Sequence, residues 1–198
     1  MITIIDYKSG NLRSIHNGFK KIGFDATITD NPEIIADADL LVLPGVGAFG
    51  SVMKNIEPFK SVIYEHINED KPFLGICLGL QVLLSNSEEA PGVKGLDIFK
   101  GKVEKIPEGR KIPHMGWNKL NIIKKCPIFE GISNDYFYFV HSYHANPDDK
   151  SIISSVTNYD IDLVASLSYN NCFATQFHPE KSGLPGLKIL KNFVNLKK

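Results

Sequence analysis

Three short runs in the first half of the chain, residues 2–7, 40–43 and 73–76, are almost continuously apolar. A strand with one face in water alternates apolar and polar residues, so runs of this kind belong to strands covered on both faces. Helical spacing lies between them. Leu12, Ile15, Phe19 and Ile22 recur on one helix face within residues 11–22, and Gly23 provides the stop. Residues 26–29 are short and β-branched, and Ser51 is placed to cap a helix running toward Asn68. Such alternation predicts a parallel sheet with helices on both faces, and ligands then bind beyond the carboxyl ends of the strands. After Pro91 the pattern changes to β segments at 103–106, 119–123, 136–142, 152–157, 164–169 and 172–177, expected to extend the sheet in mixed fashion. Residues 186–196 close the chain as an amphipathic helix through Leu187, Ile189, Leu190, Phe193 and Val194. The expected fold is therefore α/β, with a central mixed, mostly parallel sheet flanked by helices. With 198 residues and no repeat or linker, residues 1–198 are expected to form a single domain.

The third apolar run carries the most chemistry. Lys71-Pro72-Phe73-Leu74-Gly75-Ile76 leads into Cys77, and Leu78, Leu80, Val82, Leu83 and Leu84 begin a helical pattern at once. This predicts a strand–turn–helix elbow with a thiol at its tip. Gly75 and Gly79 permit the sharp turn and leave room beside the sulfur. The following helix N-terminus is expected to favour the thiolate, which is the nucleophile. A structural cysteine at a strand end is the alternative. A cysteine nucleophile needs a base, and the base needs a third group to hold its tautomer. His178-Pro179-Glu180 follows an apolar stretch directly: Pro179 keeps His178 out of helical geometry, and Glu180 can return to the far ring nitrogen. Cys77, His178 and Glu180 are thus the candidate catalytic residues.

The run at 40–43 ends in Pro44-Gly45-Val46-Gly47, whose amides can approach a reacting carbonyl closely enough to hold an oxyanion. An ordinary glycine-rich turn is the alternative. The loop lacks the Lys-Ser/Thr ending of a phosphate loop, so nucleotide binding is not expected.

With these residues in view, the chain resembles the class I glutamine amidotransferases, which have a flavodoxin-like fold, over essentially its whole length. Within them it is most similar to the glutaminase subunits of imidazole glycerol phosphate synthase. The strings that carry the resemblance are Ile4-Ile5-Asp6-Tyr7-Lys8-Ser9-Gly10-Asn11-Leu12, Leu43-Pro44-Gly45-Val46-Gly47-Ala48-Phe49 and Pro113-His114-Met115-Gly116-Trp117-Asn118. Phe139-Val140-His141-Ser142-Tyr143 and Phe177-His178-Pro179-Glu180-Lys181-Ser182 complete the set.

The resemblance implies hydrolysis of glutamine to glutamate and ammonia by a Cys77–His178–Glu180 triad, with no cofactor. It implies oxyanion and substrate contacts from Gly45, Val46, Gly47 and Leu78, and recognition of the amino-acid head by Gln81 and the backbone of His141, Ser142 and Tyr143. For Gln81, an exposed helix position is the alternative. The implied partner is a cyclase subunit, a (βα)8 barrel, in a heterodimer. It would receive the ammonia and form imidazole glycerol phosphate and an aminoimidazole carboxamide ribotide in histidine biosynthesis. Met115, Trp117, Tyr138 and Lys181 are the expected contacts, although Trp117 could instead be a core residue. Low activity without the partner is also implied, and a flipped peptide at Gly45–Val46 would explain it. Other readings are another class I amidotransferase subunit, a stand-alone γ-glutamyl cysteine hydrolase, or a scaffold without activity.

Composition excludes several other classes. Lys+Arg and Asp+Glu each number 22, so there is no net charge for general nucleic-acid binding. Three cysteines at unpaired spacing argue against a disulfide framework and suit a reducing cytoplasm; Cys126 and Cys172 are read as packing residues. The histidines have no metal-site spacing. There is no signal peptide pattern and no apolar run long enough for a membrane span.

Overall fold

In the computed structural model, which describes residues 1–8, 10–133 and 135–197, strand and helix alternate through the first half. The order is β1 (Ile2–Ile5), α1 (Leu12–Lys21), β2 (Ala26–Thr29), α2 (Pro32–Ala36), β3 (Leu40–Leu43), α3 (Phe49–Ile56), α4 (Lys60–Asn68), β4 (Phe73–Ile76) and α5 (Leu78–Gln81). The second half is mainly β: β5 (Asn86–Ser87), β6 (Gly101–Lys105), β7 (His114–Ile122), β8 (Tyr136–His141), β9 (Tyr143–Pro147), β10 (Ile153–Asn158), β11 (Asp162–Tyr169) and β12 (Cys172–Thr175). Helix α6 (Gly183–Val194) follows. Ser9, within one of the strings quoted above, lies outside the described residues.

Nine strands form one sheet in the order β2-β1-β3-β4-β12-β11-β10-β7-β8. The ladders from β2 to β12 are parallel, and those from β12 to β8 are antiparallel. The mixed sheet matches the sequence reading, although the antiparallel share equals the parallel one. The apolar runs at 40–43 and 73–76 became fully buried strands, as two-sided coverage requires. Successive residues point to opposite faces. Ile5, Leu41, Leu43 and Phe73 pack with Val52, Met53, Ile56 and Ile63 of α3 and α4. Ile4, Val42, Leu74 and Ile76 pack on the other face with Ile15 and Phe19 of α1 and with Ile189, Leu190 and Phe193 of α6. Burial of one such side chain is worth roughly 1.5–3 kcal/mol, which is why these stripes decide the arrangement.

Three expectations are corrected. The segment at 103–106, expected to extend the main sheet, lies in β6 of a separate three-stranded sheet, β5-β6-β9. Strand periodicity says which face is apolar but not which sheet a strand joins. The helix expected from Ser51 to Asn68 is two helices, divided by a 3-10 turn at Glu57–Phe59 that contains Pro58. Proline has no N–H to continue the helical ladder. Ser51 lies inside α3 rather than capping it; instead the Glu89 carboxylate accepts the Phe49 N–H at 2.8 Å. No helix among the described residues is long and apolar enough to cross a membrane.

Candidate active site

The elbow forms where β4 ends. Cys77 takes φ 56° and ψ −106°, a strained conformation for any residue with a side chain. It is held from both sides: its N–H donates to Thr175 O at 2.7 Å, and its carbonyl accepts from Leu80 N at 3.0 Å. The neighbouring glycines are there for close packing. A Cβ on Gly75 would lie 2.6 Å from Gly79 O, and one on Gly79 would collide with Leu43 O. Backbones of the β3 and β4 loops therefore touch directly beneath the thiol.

The helix after the elbow is shorter than its apolar pattern implies. Only Leu78–Gln81 is α-helical. The next carbonyls are captured by a crossing segment: Val82 O accepts from Leu96 N, Leu83 O from Phe99 N and Leu84 O from Asp97 N. One helical turn carries little macrodipole, so the expected electrostatic support for a thiolate from this helix is largely lacking.

Cys77 and His178 line one cavity of about 340 Å³, together with Val46, Gly47, Leu78, Gln81, His141, Ser142 and Tyr143. The structure thus brings together nearly all the candidate catalytic and binding residues; Gly45 lies behind the wall, packed on Leu78 and Gly79. Glu89, Pro113 and Val140 also line the cavity and were not singled out from sequence.

His178 enters on a 3-10 turn at Pro179–Lys181, which Ser182 secures by donating to His178 O at 2.6 Å. His178 Nδ1 lies 2.8 Å from Glu180 Oε1, and both side chains are buried. A carboxylate can only accept, so Nδ1 carries the proton and Nε2 is left for the cavity side of the ring. Asn11 Nδ2 donates to the same Glu180 oxygen at 2.6 Å. Asn11 precedes α1 in left-handed conformation, and its side chain makes no cap bond. Its amide serves the carboxylate instead. Burial alone would depress the His178 imidazole, but its interactions with Cys77 and Glu180 outweigh that and raise it to about 9. Among the described residues Nε2 makes no well-formed hydrogen bond.

Two of the expected oxyanion donors, Leu78 and Val46, are turned to other directions in this conformation. Leu78 N–H donates to Gly45 O at 3.3 Å. A trans peptide directs its carbonyl and its N–H to opposite sides, so with Gly45 O turned toward Leu78 the Val46 N–H is turned away from it.

Gln81 is buried, contrary to the exposed alternative. Its amide nitrogen donates to Tyr143 O at 2.9 Å and to Gln176 Oε1 at 3.1 Å, which leaves its carbonyl oxygen as the group available to a ligand. His141 Nδ1 donates to the same Tyr143 O at 2.9 Å, and its Nε2 accepts from His114 Nδ1 at 2.9 Å. Burial depresses His141 to about 3, so the ring stays neutral.

Trp117 pairs with Tyr138, and Met115 with Val140, across the β7–β8 ladder. Trp117 is 54% exposed and Met115 60%, so Trp117 is not a core residue. The Trp117 and Tyr138 rings meet edge to face at 6.2 Å, Lys181 Nζ lies 5.9 Å over the Tyr138 ring, and exposed Tyr136 continues the patch. Tyr138 also joins this surface to His178: its carbonyl accepts the His178 N–H at 2.9 Å. Cys126 and Cys172 are buried and free, and burial pushes both thiols up.

The family model for class-I glutamine amidotransferases matches residues 3–196. The imidazole glycerol phosphate synthase subunit HisH of Methanothermobacter thermautotrophicus is 55% identical over 196 residues, covering 99% of this chain and 98% of that protein. The protein of the same description from Methanocaldococcus jannaschii is 53% identical over 197 residues, covering 99% of this chain and all of that one. A crystal structure of a glutamine amidotransferase superposes with a TM-score of 0.79 over 100% of this chain and 99% of that one, at 17% identity. That last likeness bears on fold alone.

Proposed function

The chain belongs to the class-I glutamine amidotransferases, and from that premise we propose that it is the glutaminase subunit of an imidazole glycerol phosphate synthase. The observation that carries the assignment is the likeness, above half identical and nearly end to end, to relatives described as that subunit. Residues 1–198 work as one amidotransferase unit; the sheet that joins β1 near one end to β12 near the other supports this.

Cys77 is the nucleophile. Its thiolate attacks the side-chain amide carbon of glutamine, and the imidazolium of His178 gives its Nε2 proton to the departing nitrogen. Ammonia leaves and a γ-glutamyl thioester remains. His178 then takes a proton from water, the hydroxide oxygen adds to the thioester, and the collapse releases glutamate and the thiolate. Glu180 holds the ring and its positive charge throughout, and Asn11 holds Glu180. The amino-acid head lies against Gln81 and the backbone of His141–Tyr143. With both Gln81 N–H groups committed internally, its oxygen, for which no partner is seen among the described residues, suits the α-ammonium group, and Glu89 supplies a carboxylate on the same wall.

The partner is the cyclase subunit, a (βα)8 barrel, docked as a heterodimer on the exposed face of Met115, Trp117, Tyr136 and Tyr138, with Lys181 at its rim. Exposed aromatic residues clustered around a basic side chain support this, since such groups dominate interface energetics. Docking there is coupled to catalysis through the Gly45–Val46 peptide. Its rotation would free the Leu78 N–H and bring the Val46 N–H to the oxyanion. The bond from Leu78 N–H to Gly45 O is what supports a silent resting state. Free thiols at Cys77, Cys126 and Cys172 fit a cytoplasmic setting.

The experiment is mass spectrometry of the protein quenched during turnover of glutamine with the partner and its nucleotide present. A γ-glutamyl adduct on the Cys77 peptide is expected, absent in Cys77→Ala. Retained glutamine hydrolysis by Cys77→Ala would overturn the assignment.

A further inference from the structure

Gln176 lies just before the base, on the loop between β12 and His178, and is completely buried. Its side chain touches two functional groups at once. Nε2 is 3.7 Å from Cys77 Sγ, and Oε1 accepts from Gln81 at 3.1 Å. An amide side chain can be turned either way, so the direction of this contact has to be earned. The anchor is Tyr143 O, a backbone carbonyl that can only accept. It lies 2.9 Å from the Gln81 amide, so the Gln81 group facing it is NH2. That same nitrogen faces the Gln176 amide, which must present its oxygen. The Gln176 NH2 is thereby committed to the sulfur. His141 Nδ1 donates to the same carbonyl at 2.9 Å and holds it in place.

We propose that Gln176 is a catalytic residue, an N–H donor to the Cys77 sulfur that holds the nucleophile in its thiolate form and joins it to the site that reads the amino-acid head.

A thiolate accepts hydrogen bonds far better than a thiol does, so a fixed N–H donor lowers the cost of deprotonation. Beyond the His178 imidazole, the elbow itself offers the thiolate little support. Its single-turn helix contributes little dipole, and Val140 O, 3.9 Å from Sγ, favours the protonated thiol by accepting its hydrogen. Gln176 is the counterweight. The chain of contacts also links substrate binding to reactivity. A ligand ammonium drawn to the Gln81 oxygen polarises the Gln81 N–H toward Gln176, which in turn strengthens the donor at the sulfur.

The inference rests on Cys77 being the nucleophile, and its test reads the thiol directly rather than turnover. The full chain, without partner, is alkylated with iodoacetamide across a pH series, and the Cys77 peptide is quantified by mass spectrometry. Gln176→Met keeps the volume and removes the donor. Gln176→Glu keeps the shape, still accepts from Gln81, and sets a negative charge beside the sulfur. Loss of one charge-assisted hydrogen bond corresponds to about one pH unit. The Met variant is therefore expected to move the alkylation midpoint up by ~1 unit, a roughly tenfold slower reaction below the midpoint. The Glu variant is expected to move it further, because a negative charge beside the sulfur adds to the lost donor. If the Met variant fails to fold, Gln176→Leu, which likewise removes the donor without adding charge, decides in its place. A midpoint equal to that of the parent in a folded variant would overturn the proposal. Glutamine hydrolysis by the parent, assayed separately with the partner, reports the functional assignment, so the two failures are distinguishable.

Discussion

Glu180 separates two contributions that triads usually confound: orientation of the base and charge on its partner. Both donors, His178 Nδ1 at 2.8 Å and Asn11 Nδ2 at 2.6 Å, converge on Oε1, while Oε2 is buried without a hydrogen bond among the described residues. Glutamine at this position would keep its Oε1 under both donors and put its NH2 in the place of Oε2. The ring then stays in the same tautomer and only the charge is lost. A neutral acceptor in place of a charged one costs about 1–2 kcal/mol per bond. Through the bond to the base this predicts a roughly tenfold fall in kcat for Glu180→Gln. Alanine removes the acceptor itself and leaves two buried donors unpaired. The unpaired donors lower stability, and the base, no longer held in its tautomer, is expected to lose roughly three orders of magnitude in kcat, about 4 kcal/mol in the barrier. The assay is glutamate release with saturating glutamine, partner and nucleotide, and circular dichroism verifies folding. Equal losses for Gln and Ala would refute the reasoning, because they would mean that charge alone, and not a shared oxygen, makes Glu180 effective.

Three more outcomes are expected. His141 has its folded value pushed below its unfolded one, to about 3. The unfolded chain therefore binds the proton first, and stability is lost as pH falls below 6.5; at pH 4.5 this one group costs roughly 3 kcal/mol, and thermal melts of His141→Gln should show that much less acid loss. Gly79→Ala would drive a methyl group into Leu43 O between two backbones, so a loss of about 2–3 kcal/mol and a melting temperature lower by ~5–10 °C are expected; an unchanged melt would contradict the close packing. Trp117→Ala should weaken cyclase binding about thirtyfold or more in titration calorimetry without changing the melt, and unaltered affinity would remove Trp117 from the interface.

The elbow was legible because its signals are local: an apolar run covered on both sides, a cysteine, and glycines where backbones meet. His178 and Glu180 were legible for the same reason, since proline fixes the turn between them. Gln176, Asn11 and Glu89 were not. Gln176 reads as one more polar residue ending a strand, and nothing nearby says that Gln81 and Cys77 will close around it. Asn11 reads only as the start of a helical segment, but its amide goes to Glu180, 169 positions away in the sequence. The short α5 was hidden because its pattern of leucines continues while its carbonyls are taken by a segment more than ten residues on. The position of β6 in a second sheet was equally hidden, because alternation along a strand carries no information about its neighbours. Local rules held for the scaffold and gave way where side chains converge from distant segments, which is at the site itself.

In the function proposed here, the glutaminase is held silent by the Gly45–Val46 peptide until its cyclase partner docks. Glutamate release from glutamine should be measured for the chain alone, then with the cyclase subunit, then with that subunit and its nucleotide ligand. Near silence alone and activation by several orders of magnitude in the complete mixture are expected. Full turnover by the isolated chain, unchanged by the cyclase subunit, would contradict a silent resting state.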